Sequence, residues 1–244
     1  MTKYLKRCLP ILIVASLLSG CGFIDYFYLP MPEDTALELF EAGSDAMREE
    51  QYYEAIEYFT KLIDHYPFSP YTPQAEIGLG DAYYLNKDYV EAVDAYKEFE
   101  VLHPRHEEIP YVLLQIGVAS HDSYISIDLQ PNVLADGLQY LYQLVEVFPE
   151  SPYVDAANEY IVKCRTKLAE HELFVADFFW RTDRYVAAWK RYSYVVDNYG
   201  DLPDIHAYAQ KKAELAYLRY QELKSDKEKD REQGSLSGFF NSFL

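Results

Sequence analysis

Apolar residues along this chain recur at three- and four-residue intervals, in blocks that close on proline, so the pattern predicts a succession of amphipathic helices. The blocks repeat. Ala42 to Pro67 lies over Leu79 to Pro104 without a gap: Gly43 meets Gly80, Tyr52 meets Tyr89, Ala55 meets Ala92, Phe59 meets Tyr96 and Pro67 meets Pro104, every pair 37 residues apart. Small residues let two helix axes approach, the ring at Tyr52 or Tyr89 fills the wedge beside the turn, and Pro67 or Pro104 cannot donate the next intrahelical hydrogen bond.

The pattern loosens downstream but stays legible. A third unit has its first helix around Ile116 and Gly117 and its second helix ending at Pro149, with eight extra residues falling in "HDSYISIDLQPN". A fourth shows Val175, Ala176, Tyr185, Ala188 and Tyr192 in the expected places, with Gly200 where proline stands elsewhere. Tyr153 to Trp180 contains neither Gly nor Pro, which predicts one long helix or two with a tight polar joint. Asp204 to Leu223 reads as a further helix with Leu215 and Leu218 on its apolar face. This register resembles the tetratricopeptide repeat, a helix-turn-helix unit of about 34 residues. The fold class is therefore all-α, a superhelical solenoid of about five helix-turn-helix units over residues 34–224, followed by a charged flexible tail over 225–244 that ends in "SLSGFFNSFL".

The amino end adds an address. Lys3, Lys6 and Arg7 precede an apolar stretch from Cys8 to Leu18, the layout of a secretory leader and too short to span a bilayer. Leu18-Ser19-Gly20-Cys21 resembles the bacterial lipobox, so residues 1–20 read as a signal peptide, Cys21 as the lipidated residue and 21–33 as a linker. Cys164 is then the last cysteine of the mature chain, with no intramolecular disulfide available to it and a core position expected. The net charge is −18, and losing the leader's three basic groups makes the chain more acidic still. Such a surface repels phosphates, which argues against nucleic acid.

A search for catalytic constellations returns little. Gly78-Leu79-Gly80 lacks the third glycine and the preceding strand of a dinucleotide loop. His103, His106, Glu107 and Glu108 flank Pro104 in a loop, but no second ligand pair appears at metal-binding spacing. No Gly-x-Ser-x-Gly, P-loop or His-Glu-x-x-His motif is present, so neither enzyme activity nor a cofactor is expected. The aromatic content, 25 Tyr and 13 Phe, says more. Tyr58, Phe59, Tyr83, Tyr96 and Tyr192 sit at repeat positions and are expected in the core. Those left over would line a groove suited to peptide or domain recognition.

From His65 to Gly117 the sequence resembles the BamD family, lipoproteins of the outer-membrane β-barrel assembly machine. The marks are Tyr66-Pro67-Phe68-Ser69-Pro70-Tyr71, Ala82-Tyr83-Tyr84, His103-Pro104 and Ile109-Pro110-Tyr111-Val112, and similarity continues through Phe148 to Tyr192. The resemblance implies a scaffold held by lipid at the periplasmic face of the outer membrane. It implies that the early repeats engage unfolded barrel substrates, with Tyr66, Phe68, Tyr71 and Tyr84 as groove candidates. It also implies that the late repeats dock the last POTRA domain of the barrel subunit BamA through Arg191, and that other assembly-machine lipoproteins are partners. Gly22, rather than aspartate, after the lipid cysteine agrees with outer-membrane sorting. The segment Ser120 to Asn132 departs from the family pattern, and the last repeat loses its second helix to the charged tail. Two alternatives stay open: a generic envelope repeat lipoprotein of a cell-wall or secretion complex, and a metal-assisted envelope hydrolase.

Overall fold

The computed structural model describes residues 34–127 and 129–241, with side chains placed through Lys229. The expected leader, Cys21 and the linker to residue 33 thus lie outside the described residues. Regular structure among the described residues is entirely helical: α1 (Ala36–Arg48), α2 (Tyr52–His65), α3 (Thr72–Leu85), α4 (Tyr89–Leu102), α5 (Ile109–Ser123), α6 (Asn132–Val147), α7 (Val154–Arg181), α8 (Tyr185–Asn198) and α9 (Pro203–Asn241). Each helix packs on its neighbours in sequence, and first helices of successive units also touch, α1 on α3, α5 on α7 and α7 on α9. Hairpins therefore stack into a solenoid.

Close nesting explains the small residues. A Cβ added at Gly43 would lie 2.6 Å from the Phe59 ring, one at Gly80 2.5 Å from the Tyr96 ring, and one at Gly117 2.3 Å from Leu141 Cγ. Phe59 and Tyr96 each follow their glycine by 16 residues, whereas Leu141 follows by 24; the connection 124–131 between α5 and α6, longer than 49–51 and 86–88, supplies most of the difference. Ala176 and Tyr192, both fully buried, make the same pair in the fourth unit. Phe59 is 2% exposed while its neighbour Tyr58 is 36% exposed, so of the two adjacent aromatics expected in the core only Phe59 belongs there.

The turns inside units are tight and left-handed. Glu50, Lys87 and Asp183 have φ of 60°, 69° and 58°. At each, the next amide reaches back to the helix: Gln51 N–H to Ala46 O at 2.8 Å, Asp88 N–H to Tyr83 O at 2.9 Å, and Arg184 N–H to Phe179 O at 2.9 Å. This is the geometry that glycine usually supplies. Replacing Lys87 by glycine relieves the steric cost of a side chain there and raises stability by about 1 kcal/mol, read as a higher thermal midpoint. Between units the chain turns at Pro67, Pro104 and Pro149, with matching bonds from Ser69 N–H to Tyr66 O, His106 N–H to His103 O and Ser151 N–H to Phe148 O. Leu202 N–H to Tyr199 O closes the same turn around Gly200, which does not use the left-handed region.

The Gly- and Pro-free stretch is a single helix of 28 residues. Its first half, with Ala157, Ile161 and Cys164, completes the core of the third unit; Ala169 and Ala176 serve the clusters with α8 and α9. Cys164 is buried as expected, and burial pushes its thiol up to about 12. Two expectations for the last helix change. Leu215 and Leu218 are 41% and 58% exposed, and the buried stripe is instead Ala209 and Ala216. The helix also continues past Leu223 to Asn241, so the segment from 225 to 241, read from sequence as a flexible tail, is helical.

Candidate partner-binding surfaces

The aromatic residues named at the first repeats occupy the α2–α3 turn and the end of α3, and the structure turns them three ways. Tyr66 Oη donates to the Asp34 carbonyl at 2.8 Å, and the Tyr71 ring stacks on Phe40 with centroids 5.6 Å apart, so both close down on α1. Phe68 is 99% exposed at the lip of a cleft of about 400 Å³ whose apolar wall is Ile63, Leu79, Phe99 and Leu102. Glu76 lies inside, its carboxyl raised by burial, with the opposing pull of His103, whose Nε2 is 2.6 Å away. Tyr84 Oη donates to Asp122 Oδ2 of α5 at 2.8 Å, and burial with that carboxylate holds the phenol protonated. Only Phe68 lines the cleft. A fully exposed ring beside a largely apolar cleft suits an extended apolar segment.

At the other end Arg191 stands on α8 and donates from Nη1 to Glu172 Oε2 of α7 at 2.7 Å. Its carboxylate is thus a residue across the interface, not Asp197 of its own helix. Arg191 remains 48% exposed on its side chain, Glu172 only 18%. The remaining guanidinium donors are free to take a second carboxylate in bidentate fashion.

Across residues 32–235 the chain matches a family model described as YfiO, outer membrane lipoprotein. The chain belongs to this family. It is similar to outer membrane protein assembly factor BamD of Vibrio cholerae, 29% identical over 223 residues that cover 87% of this chain and 89% of the relative. It is similar to the protein of the same name in Haemophilus influenzae, 28% identical over 80% of this chain and 77% of that one. The counterpart in Neisseria meningitidis serogroup A is 24% identical over 90% and 85%. The resemblance carried by the turn motifs and the α7–α8 segment is borne out.

Within this family fold, two polar clusters escaped the sequence reading. Asp81 Oδ1 accepts from Tyr96 Oη and Tyr111 Oη, each at 2.6 Å, so one carboxylate on α3 ties α4 and α5 together. Asp177 of α7 repeats the arrangement, accepting from Tyr192 of α8 and from Tyr208 of α9 at 3.2 Å. The signal was present: an aspartate directly after the small residue, and tyrosine instead of phenylalanine 15 positions on. A third missed contact fixes the inserted connection, where Lys167 Nζ donates to Tyr124 O at 3.4 Å and His171 Nδ1 lies 2.7 Å from Ile127 O. Among the described residues no group of three or more His, Cys, Asp or Glu is disposed to hold a metal, and no helix is long and apolar enough to cross a membrane. His106 Nδ1 instead accepts from the Glu108 amide at 3.2 Å.

Proposed function

We propose that this chain is a lipid-anchored periplasmic scaffold of the outer-membrane β-barrel assembly machinery. The observation that carries the reading is the family match over residues 32–235, supported by relatives named as outer membrane protein assembly factors that align along most of their own length. A non-catalytic solenoid fits a scaffold, because stacked hairpins offer long surfaces without a closed reaction site. In this reading Cys21 carries the acyl chains, and two or more chains suffice for stable anchoring. The early repeats, with Phe68 at the cleft, receive unfolded barrel substrates. The α7–α8 hairpin receives the last POTRA domain of BamA, with Arg191 exchanging or sharing its Glu172 carboxylate with an acidic group of that partner. Other assembly-machine lipoproteins bind the same scaffold, and the charge of −18 opposes any nucleic-acid role.

The test is co-purification from a detergent extract of the cells that make it. BamA is expected as the principal partner, and the amino-terminal peptide of the recovered chain is expected to carry acyl mass on Cys21. Arg191→Glu lowers BamA recovery at least tenfold, about 1.4 kcal/mol of binding or more, with helical circular dichroism unchanged because the ion pair it breaks is partly exposed. Recovery of cell-wall or secretion components in place of BamA removes the assembly reading, and unchanged recovery with Arg191→Glu removes that residue from the interface.

A further inference from the structure

One seam of the solenoid is left without its roof. In the second unit, the cleft between Ile63 of α2 and Glu76 and Leu79 of α3 has α4 as its third wall, through Ala95, Glu98, Phe99 and Leu102. The equivalent seam at the end of the array is Val196 of α8 with Gln210 and Ala213 of α9. The equivalence follows from the repeat: Ile63 and Val196 each follow a buried residue of the second helix, Leu62 and Val195, while Glu76–Leu79 and Gln210–Ala213 stand at the same distances after buried Ala75 and Ala209. No described helix lies over this last seam. Nor does α9 hold the means to close it as the other units do. Glu214 occupies the place of Gly80, five residues after the buried alanine, and Asp230 rather than an aromatic stands 16 positions on. The helix runs straight past.

The uncovered seam is a groove along the whole of α8. Two clefts of about 440 and 490 Å³ follow one another between α8 and α9. Val186, Trp189, Ser193 and Val196 mark the α8 side at helical spacing, facing Ala213, Tyr217, Tyr220 and Leu223 of α9. Tyr217 and Leu223 are 41% and 43% exposed. The two ends carry opposite charge. Arg184, Lys190, Lys224 and Lys227 gather at one end with a single carboxylate, Asp183, which accepts from Tyr185 Oη, and none of the four makes an ion pair with a described residue. Asp197 and Glu214 stand at the other. Four unpaired cations beside an apolar floor stand out on a chain of net charge −18. Arg191 lies off this groove, toward α7.

We infer that the α8–α9 groove seats an amphipathic helix from another protein, lying where the second helix of a fifth unit would lie, with carboxylates at the end facing Lys190, Lys224 and Lys227. A helix laid in a groove buries apolar residues at three- and four-residue intervals, matching the spacing of the floor. A basic residue at its opposite end answers Asp197 and Glu214, so charge fixes its direction. This inference stands on the groove and does not require the assembly reading.

A photo-reactive amino acid placed at Gln210 and, separately, at Leu223 tests it in the cells that make the protein, with the linked peptides sequenced. The expected result is one partner at both positions. The linked segment has helical apolar spacing, is acidic at the end joined to position 223, and is recovered at least tenfold less from the Lys190→Glu/Lys224→Glu variant. Both lysines line an open cleft, so circular dichroism stays unchanged in that variant. Linkage to a second copy of this chain, to its own residues 230–244 or to lipid overturns the inference, as does the absence of product at both positions or a yield indifferent to the lysine substitutions. A linked helix from a protein outside barrel assembly upholds the inference while removing the assembly reading, so the two fail separately.

Discussion

Gly117→Val lowers the stability of the third unit by about 3 kcal/mol, although valine is the better helix former by a few tenths of a kcal/mol. Without a side chain, α5 lies against the fully buried Leu141 so closely that a Cβ would come within 2.3 Å of its Cγ and 2.4 Å of its Cδ2. Leu141 cannot swing away, because Leu138 and Leu144 of the same helix are packed in the same core. The hairpin must open. Because each unit leans only on its neighbours, the damage is local, and hydrogen exchange accelerates over α5 and α6 before the rest of the array responds. Gly200→Ala is the control. A Cβ there meets nothing within 4 Å and the residue does not use left-handed φ, so the change stays within about 0.5 kcal/mol. Equal effects from the two substitutions would mean that close helix approach does not hold the units together.

Asp81→Ala is the second large effect, a loss of about 3 kcal/mol, because two phenol hydroxyls lose the carboxylate oxygen that both donate to and Tyr96 is 1% exposed. Asp81→Asn behaves differently. It keeps Oδ1 as acceptor for both phenols and discards the charge, so at neutral pH it is as stable as the parent or more so. The sign follows from the carboxyl, which burial raises above its ordinary value against the lowering effect of the two hydrogen bonds. A raised acid binds its proton more tightly when folded, so the parent loses stability as pH rises from the ordinary aspartate range through the raised value, with the full cost present above it. The asparagine variant lacks that decline. Denaturant midpoints measured across this acidic window distinguish the two, and a parent profile parallel to that of Asp81→Asn would show that the Asp81 charge is not buried in the native state.

The hairpins were legible because their determinants are local. Gly43, Phe59 and Pro67 carry the nesting, the filling ring and the turn within one stretch of chain, and the same set returns at Gly80, Tyr96 and Pro104. Even the insertion could be counted, since Pro149 follows Pro104 by 45 residues where Pro104 follows Pro67 by 37. The candidate site was less legible. Tyr66, Phe68, Tyr71 and Tyr84 lie close in sequence, yet the directions of three of them depend on Asp34, Phe40 and Asp122, residues from distant parts of the chain. Arg191 likewise takes Glu172 of α7 over a carboxylate of its own helix.

By itself, the sequence determined a stack of helical hairpins and the turns between the repeats, because spacing between small, aromatic and proline residues constrains chain neighbours directly. Only the tertiary structure decided which side of each helix faces protein. Leu215 and Leu218 look like a buried stripe but stay exposed while Ala209 and Ala216 are buried, and Asp81 is taken out of water by tyrosines 15 and 30 residues away. Burial depends on the element that lies opposite, and that element is set by how units stack.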